Sequence, residues 1–185
     1  QQYRAFYPLH TPAVQWIPGT DTYSYMSADY QTMKKNGVKK DAPVDVLTLA
    51  ELNTMTGETH DYITIIEWKD ANSFYTATNG KYYLINLKEK KSAQFVVLPD
   101  NGANDELCSA TNHVAFTIDN NLYIRTNENK EIQITNFGAN IVSGQAIARS
   151  EFGITDGIFW SPTGNYLAFY QKDETDVADY PLLDI

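Results

Sequence analysis

A repeated pattern of strand, polar turn and strand is the feature of this sequence that most restricts its fold. Three tryptophans and one cysteine hold the same place in successive units, with separations of 52, 40 and 52 residues between Trp16, Trp68, Cys108 and Trp160. A spacing of about 40–50 residues, with roughly four short strands in each unit, is typical of β-propeller blades. A β-sandwich with regularly spaced turns is the alternative. The recurring tryptophan, turn and tyrosine favour the propeller.

Short runs of alternating apolar and polar residues predict the strands of these units. The predicted strands are residues 22–30, 62–68, 73–78, 81–87, 93–99, 113–119, 121–126, 130–135 and 166–171. Between them, Asn79-Gly80 and similar pairs supply residues that accept the positive φ of hairpin turns. Helical periodicity is weak: residues 45–56 fit a helix moderately, but their first half also alternates like a strand.

The number of strands predicts an incomplete ring. Residues 14–185 hold about 3.5 four-stranded blades, whereas closed propellers need about 4–8. We therefore expect an all-β chain that forms a partial β-propeller and is a fragment of a longer domain. An open ring leaves edge strands that can pair with other chains.

The charge and composition exclude several functions. The 185 residues include 14 basic and 23 acidic side chains, for a net charge of −9. This excess argues against nucleic acid or an anionic membrane as a partner. No apolar run approaches the ~20 residues of a membrane-spanning helix. The single cysteine, Cys108, excludes an internal disulfide and is expected to be a buried, unreactive thiol. Nothing in the sequence predicts a metal or a cofactor.

Motifs of nucleophilic catalysis and phosphate binding are absent from the sequence. His10, His60 and His113 lie in separate segments, and we expect each to be structural or solvated. Four acidic residues without the glycine and spacing of a calcium loop are expected in a solvated connection: Asp173, Glu174, Asp176 and Asp179. Four lysines are expected in an exposed hairpin loop with Asn36-Gly37 at its tip: Lys34, Lys35, Lys39 and Lys40.

One segment, residues 137–157, is longer and more polar than a tight turn requires. In a propeller, an insertion of this length can fold as a short helix or loop over one face. A partly desolvated carboxylate there, Glu151, would bind an ammonium group through charge-assisted hydrogen bonds. The alternative is that Arg149 and Glu151 are exposed or pair locally.

The stretch EFGITDGIFWSPTGNYLAFYQKDETDVADYPLLD, residues 151–184, resembles the N-terminal propeller of dipeptidyl peptidase IV and of the bacterial prolyl tripeptidyl peptidases. These enzymes belong to the prolyl oligopeptidase group of serine peptidases. The phrase WSPTGNYLAF alone occurs in many propellers, and its combination with SEFGI and KDETDVADYPL makes the resemblance specific. A looser similarity runs back through VAFTIDNNLYI, NGKYYLINL and WIPGTDTYSYM and covers nearly the whole chain.

The resemblance implies that residues 1–185 are the N-terminal portion of an eight-bladed propeller that caps a C-terminal α/β-hydrolase domain. In the family that domain carries the Ser-Asp-His triad. The resemblance assigns no catalytic residue to this chain, which alone is expected to be inactive.

The resemblance also implies a role for the segment before FWSP, whose glutamates bind the free α-amine of the substrate in this family. The matching residue is Glu151. Ser150 replaces the first glutamate of the dipeptidyl peptidase IV pair, as in the bacterial branch, so the choice between dipeptide and tripeptide release stays open. The arginine-bearing loop of the family's second blade is a short hairpin here, and Arg149 is a candidate for contacting substrate carbonyls instead.

We therefore expect a full-length serine exopeptidase that releases X-Pro or X-Ala dipeptides or tripeptides, with this chain as its substrate gate and amine-binding part. The expected partners are a peptide with a free N-terminus, the hydrolase domain and, as is common in the family, a second copy in a homodimer. A periplasmic, secreted or cell-surface location is expected, with a signal peptide removed. The alternative is a non-catalytic propeller module that binds peptides or a protein.

Overall fold

The computed structural model describes residues 13–39, 42–147 and 151–178, except for the side chain of Glu151. Within these ranges the chain forms 16 strands, one α-helix and one 3₁₀ turn. The strands pair antiparallel, so the prediction of an all-β fold is confirmed.

The first sheet contains β1 (Val14–Trp16), β2 (Thr22–Met26), β3 (Thr32–Gly37) and β4 (Val44–Thr48), with neighbours in chain order. The helix α1 (Leu49–Thr56) follows β4 directly. It begins there because Thr48 and Glu51 form a capping box: Glu51 N–H donates to the Thr48 hydroxyl, and Thr48 N–H donates to the Glu51 carboxylate. Gly57, at φ 73°, ends it.

Two further four-stranded sheets repeat the same up-and-down order. The second contains β5 (Glu67–Asp70), β6 (Ser73–Thr78), β7 (Lys81–Asn86) and β8 (Lys91–Val97). The third contains β9 (Ala103–Cys108), β10 (His113–Ile118), β11 (Asn121–Arg125) and β12 (Glu131–Gln133). Asn79 and Gly80 join β6 to β7 at φ 50° and 70°, which is the tight turn that their sequence predicts.

The last four strands form two pairs. They are β13 (Ile141–Ser143), β14 (Ile158–Trp160), β15 (Leu167–Phe169) and β16 (Gln171–Asp173). β14 pairs with β15 in a hairpin, and β13 pairs with β16.

The described residues divide into two compact units, each with its own apolar core. The first unit holds the residues up to Thr78 together with 83–93, and the second holds 79–82 and those from 94 onward. The core of the first unit contains Ile17, Met33, Leu47, Leu52, Ile63, Trp68, Phe74, Tyr83 and Ile85. The core of the second unit contains Ala115, Leu122 and Ile158.

Two local predictions are wrong. Lys34, Lys35, Asn36 and Gly37 lie inside β3 and not in a hairpin loop, because β3 pairs on both sides, with β2 and with β4. Residues 62–66 are not a strand, although they are apolar and β-branched, and only Glu67 and Trp68 of the predicted run belong to β5. The pattern of residues 45–56 fitted both a strand and a helix, and the structure has a strand followed by a helix there.

His60 makes folding stability dependent on pH. Its side chain is buried beside α1, with Nε2 3.2 Å from the Thr56 hydroxyl. Burial lowers the pKa of this imidazole below its usual 6.5, against an opposing effect of Glu58. Since the unfolded chain binds the proton more readily, stability is full above pH 6.5 and is lost as the pH falls toward the lowered pKa of the folded state.

We expect the urea concentration at the midpoint of unfolding to be lower at pH 5.5 than at pH 7.5. This difference should be smaller in His60→Gln. Measuring both proteins at both pH values isolates the contribution of this imidazole, because other titrating groups are common to the two. An equal pH dependence in the variant would show that the His60 charge does not oppose folding.

Candidate functional site

The segment that holds Glu151 is a loop inserted into a strand. One continuous run, residues 167–173, pairs antiparallel with two separate segments, residues 141–144 and 157–160. Ser143 lies opposite Gln171, and Ile158 lies opposite Phe169. Among the described residues, 145–147 and 151–156 lie outside the ladder between these two halves. The sequence predicted an insertion over residues 137–157. The structure has an inserted loop there, but part of the predicted range, β13, belongs to the sheet.

Tyr170 closes the base of this loop. Its carbonyl accepts the N–H of Gly144 at 2.8 Å, and its N–H donates to the carbonyl of Gly157 at 2.9 Å. The two ends of the loop touch: a Cβ on Gly157 would lie 2.3 Å from the backbone carbonyl carbon of Gln145. Only glycine fits at position 157, since a real Cβ would overlap backbone atoms.

The side chain of Gln145 ties the loop to the β10–β11 hairpin. Its Nε2 donates to the Asp119 carbonyl at 2.9 Å and to the Asn120 side chain at 3.2 Å. The loop therefore starts from a fixed point of the second unit.

The upper part of the loop contains a 3₁₀ turn, Glu151–Gly153. Phe152 has φ 55° and Gly153 has φ 74°, so the chain passes through two left-handed residues in succession. The side chain of Phe152 is 96% exposed, and Ile154 is 46% exposed. A non-glycine residue in this conformation with an exposed ring is costly and is a common feature of functional loops.

The structure describes the backbone of one of the two site residues predicted from the sequence and does not describe the other. Glu151 opens the 3₁₀ turn, which places its backbone on the inserted loop, and its side chain lies outside the described part of the structure. Arg149 lies outside the described residues altogether. Their predicted roles toward a substrate remain predictions.

An acidic pocket lies at the foot of the loop and was not foreseen from the sequence. Its volume is about 60 Å³, and it is lined by Asn104, Asp105, Glu106, Thr155, Asp156, Gly157 and Ile158. Burial raises the pKa of the Glu106 carboxyl above its usual value, and the negative charges of Asp156 and Asp105 raise it further. The three carboxyl groups give this side of the loop a negative potential.

Asp105 is held in place by a buried tyrosine. The hydroxyl of Tyr82 donates to the Asp105 carboxylate. The Tyr82 ring is 2% exposed, and burial followed by the charge of Asp105 raises the pKa of its hydroxyl, which stays protonated. Asp105 and Glu106 are adjacent in β9, whereas Asp156 lies far along the chain, so local sequence patterns carry no signal for this cluster.

The other candidate side chains lie outside residues 145–156. Cys108 is a buried free thiol, as predicted. His113 begins β10 and is half-buried. His10, Lys40 and Asp179 lie outside the described residues. Lys34 pairs with Asp45 at 2.5 Å. In the described part of the chain, no cluster of His, Cys, Asp or Glu is arranged for a metal ion.

No helix among the described residues is long and apolar enough to span a membrane.

Solved structures share this architecture. A crystal structure assigned as a dipeptidyl aminopeptidase IV from Bacteroides ovatus is 32% identical, with a TM-score of 0.72 over 94% of this chain and 25% of that chain. The Porphyromonas gingivalis dipeptidyl peptidase 4 is 18% identical, with a TM-score of 0.63 over 91% of this chain and 26% of its own. By fold, the chain is of the class of dipeptidyl peptidase N-terminal domains.

Comparison with sequence relatives identifies the family within this class. Dipeptidyl aminopeptidase B of Saccharomyces cerevisiae is 27% identical over 63% of this chain. A dipeptidyl-aminopeptidase B of Arthroderma gypseum is 34% identical over 56%. The family model of the dipeptidyl peptidase IV (DPP IV) N-terminal region matches residues 56–185, more than half of the chain. The chain belongs to the dipeptidyl peptidase IV N-terminal region family.

The chain is much shorter than these relatives. It spans 14% of the yeast protein and 12% of the Arthroderma protein.

Proposed function

We propose that this chain is the amine-binding and substrate-gating part of a serine exopeptidase, which releases X-Pro or X-Ala dipeptides or tripeptides from free N-termini. Glu151 binds the substrate ammonium group in this proposal. The nucleophile belongs to an α/β-hydrolase domain outside residues 1–185.

The observation that carries the proposal is the inserted loop, residues 145–156. A hairpin needs no such loop for its stability, yet this one is closed at its base by Tyr170 and tied down by Gln145. Loops on a rigid scaffold are where binding residues concentrate. In this proposal, the Glu151 carboxylate on the loop binds the amino end of the peptide and so sets the length of the product released.

The acidic pocket at the foot of the loop supports a cationic ligand. Asp105, Glu106 and Asp156 add negative potential on the side from which the loop projects. A peptide ammonium would be attracted to this region and then held by Glu151 through a charge-assisted hydrogen bond. Burial, and after it the charges of Asp156 and Asp105, raise the pKa of Glu106, and a bound cation would reduce the cost of ionising this carboxyl.

Several further parts of the proposal rest on the family. The three four-stranded sheets are blades of a β-propeller, for which we propose eight blades in the full-length protein. Arg149 contacts substrate carbonyls. The full-length protein is periplasmic, secreted or at the cell surface, and forms a homodimer.

We expect a full-length protein containing this chain to cleave Gly-Pro or Ala-Ala-Pro chromogenic substrates only when their N-terminus is free. Acetylation removes the ammonium charge and should lower kcat/KM by at least about 10²-fold, because the anchoring interaction orients the scissile carbonyl. Comparing the two lengths decides between dipeptide and tripeptide release.

Equal cleavage of free and acetylated substrates would overturn the amine-binding role. Absence of cleavage of all four substrates by the folded full-length protein would favour the non-catalytic binding module.

A further inference from the structure

The hairpin turn between β10 and β11 contacts the chain on both sides of β13. The turn consists of Asp119, at φ 51°, and Asn120, and the flanking residues Ile118 and Asn121 pair with each other. In a two-residue hairpin the geometry of the turn fixes the register of the two strands. Polar groups on this turn therefore have set positions relative to the third sheet.

Asn120 holds the chain before, within and after β13. Its Nδ2 donates to the Ala139 carbonyl at 2.5 Å, and its carbonyl accepts the N–H of Ser143 at 2.9 Å. Its Oδ1 accepts a hydrogen bond from Gln145 Nε2 at 3.2 Å, and the same nitrogen donates to the Asp119 carbonyl at 2.9 Å. Of these contacts, those of Gln145 are the ones that lie on the inserted loop.

The end of β13 is held in place without the side chain of Gln145. This residue lies beyond the last pair of the strand, Ser143 with Gln171. Gly144, at φ 77°, brings the backbone against the hairpin, since a Cβ added there would lie 3.0 Å from the Thr117 side chain. Backbone pairing and packing thus fix the strand end, and the hydrogen bonds of Gln145 act on the loop that follows.

We propose that Gln145 is a positioning residue for Glu151. Its two hydrogen bonds to the β10–β11 turn fix the first end of the inserted loop and with it the place of the Glu151 carboxylate. The inference rests on the proposed amine-binding function of that carboxylate.

The geometry of the two loop ends supports this role. A side-chain amide nitrogen has two N–H donors, and both are used by Gln145, so its orientation is set. The other end is set by backbone atoms, since Gly157 meets the backbone of Gln145 with no room for a side chain. Fixed ends limit the positions open to the loop between them. Precise placement matters because a misplacement of about 1 Å can cost about 10²-fold in rate.

Asn121 provides a matched control, because it has the same side chain as Asn120 and follows it directly. Its Oδ1 accepts hydrogen bonds from the Phe137 N–H at 2.8 Å and the Thr135 hydroxyl at 3.1 Å. Its Nδ2 donates to the Phe137 carbonyl at 3.2 Å. Both partner residues precede β13. Asn121→Ala therefore removes hydrogen bonds of the same kind and leaves the contacts of Gln145 in place.

The test compares Gln145→Ala, Gln145→Glu and Asn121→Ala in the full-length protein. Steady-state kinetics with free and acetylated forms of the preferred chromogenic substrate give the ratio of their kcat/KM values, which measures the use of the ammonium group. We expect this ratio to fall about 10-fold or more in Gln145→Ala, mainly through kcat for the free substrate, since a misplaced anchor misorients the scissile carbonyl.

The other two variants tell positioning from stabilisation. Gln145→Glu should behave like Gln145→Ala, because a carboxylate of the same size has no N–H to donate to the two oxygen acceptors. Asn121→Ala should keep the ratio of the unmodified protein, although its urea concentration at the midpoint of unfolding falls. Hydrogen exchange gives a readout apart from activity: amides of residues 151–156 should exchange faster in Gln145→Ala than in the unmodified protein and in Asn121→Ala.

Three outcomes would contradict the inference. An unchanged ratio in Gln145→Ala, or an equal loss in Asn121→Ala, would mean that Gln145 only stabilises the fold, and the proposed function would stand. Unchanged exchange of residues 151–156 in Gln145→Ala would show that its hydrogen bonds do not fix the loop. If the unmodified protein itself cleaves free and acetylated substrates equally, the proposed function fails and the inference fails with it.

Discussion

Gly157→Ala is expected to destabilise the protein by about 3 kcal/mol or more and to displace the inserted loop. The added Cβ would lie 2.3 Å from the carbonyl carbon, 2.5 Å from the oxygen and 2.7 Å from the Cα of Gln145. All three are backbone atoms, which no rotamer change can move. The two ends of the loop must separate, and the hydrogen bonds of Tyr170 to Gly144 and Gly157 are then strained or lost.

Gly138→Ala is the matched control for this effect. A Cβ added at position 138 would meet no atom within 4 Å, and Gly138 has no positive φ. Alanine there is expected to be neutral or stabilising by up to about 1 kcal/mol, since it restricts the unfolded chain. Urea unfolding compares the two variants, and hydrogen exchange at the Tyr170 amide reports the loop base. Equal stability of the two variants, with Tyr170 protection unchanged, would contradict the closed base.

Turns and repeat positions were readable from the sequence because their determinants are local. Asn79 and Gly80 adopt the left-handed conformations that their side chains permit, and β6 lies at the predicted residues 73–78. Trp16, Trp68, Cys108 and Trp160 each lie in the first strand of a sheet or hairpin, as the spacing of the repeat predicted.

The errors arise where distant partners override a local signal. Asn36-Gly37 is a typical hairpin turn, but pairing with Tyr23 and Thr22 of β2 keeps these residues in β3. Residues 62–66 have strand-like composition but form isolated hydrogen bonds and no ladder, such as the bond from the Ile66 N–H to the Tyr75 carbonyl in β6. β propensity reflects packing against neighbours more than backbone preference, so such runs are ambiguous in isolation.

Only part of the candidate site could be predicted from the sequence, because the rest depends on contacts between residues distant in the chain. The length and polarity of residues 137–157 indicated an insertion, and the resemblance pointed to Glu151. The division of one strand into β13 and β14 depends on their shared pairing with residues 167–173. The meeting of Asp156 with Glu106 depends on the fold of the second unit.

Glu151→Gln in the full-length protein is expected to lower kcat/KM for free-amine substrates by about 10²–10³-fold, or about 3–4 kcal/mol. Glutamine keeps the size of the side chain and removes its charge, so the ammonium group loses a charge-assisted partner and the peptide its anchor. Glu128→Gln is the control, because it makes the same chemical change at an exposed turn in the same unit. The measurement is steady-state kinetics with the preferred chromogenic substrate.

The same experiment with acetylated substrate separates lost binding from general damage to the loop. Neutralising Glu151 and acetylating the substrate remove the same ion pair, so their effects should not add. We expect Glu151→Gln to cleave the free substrate about as slowly as the unmodified enzyme cleaves the acetylated one, and to cleave the acetylated one at an unchanged rate. Additive losses would mean that the substitution acts through the loop structure, and that the ammonium group is bound elsewhere.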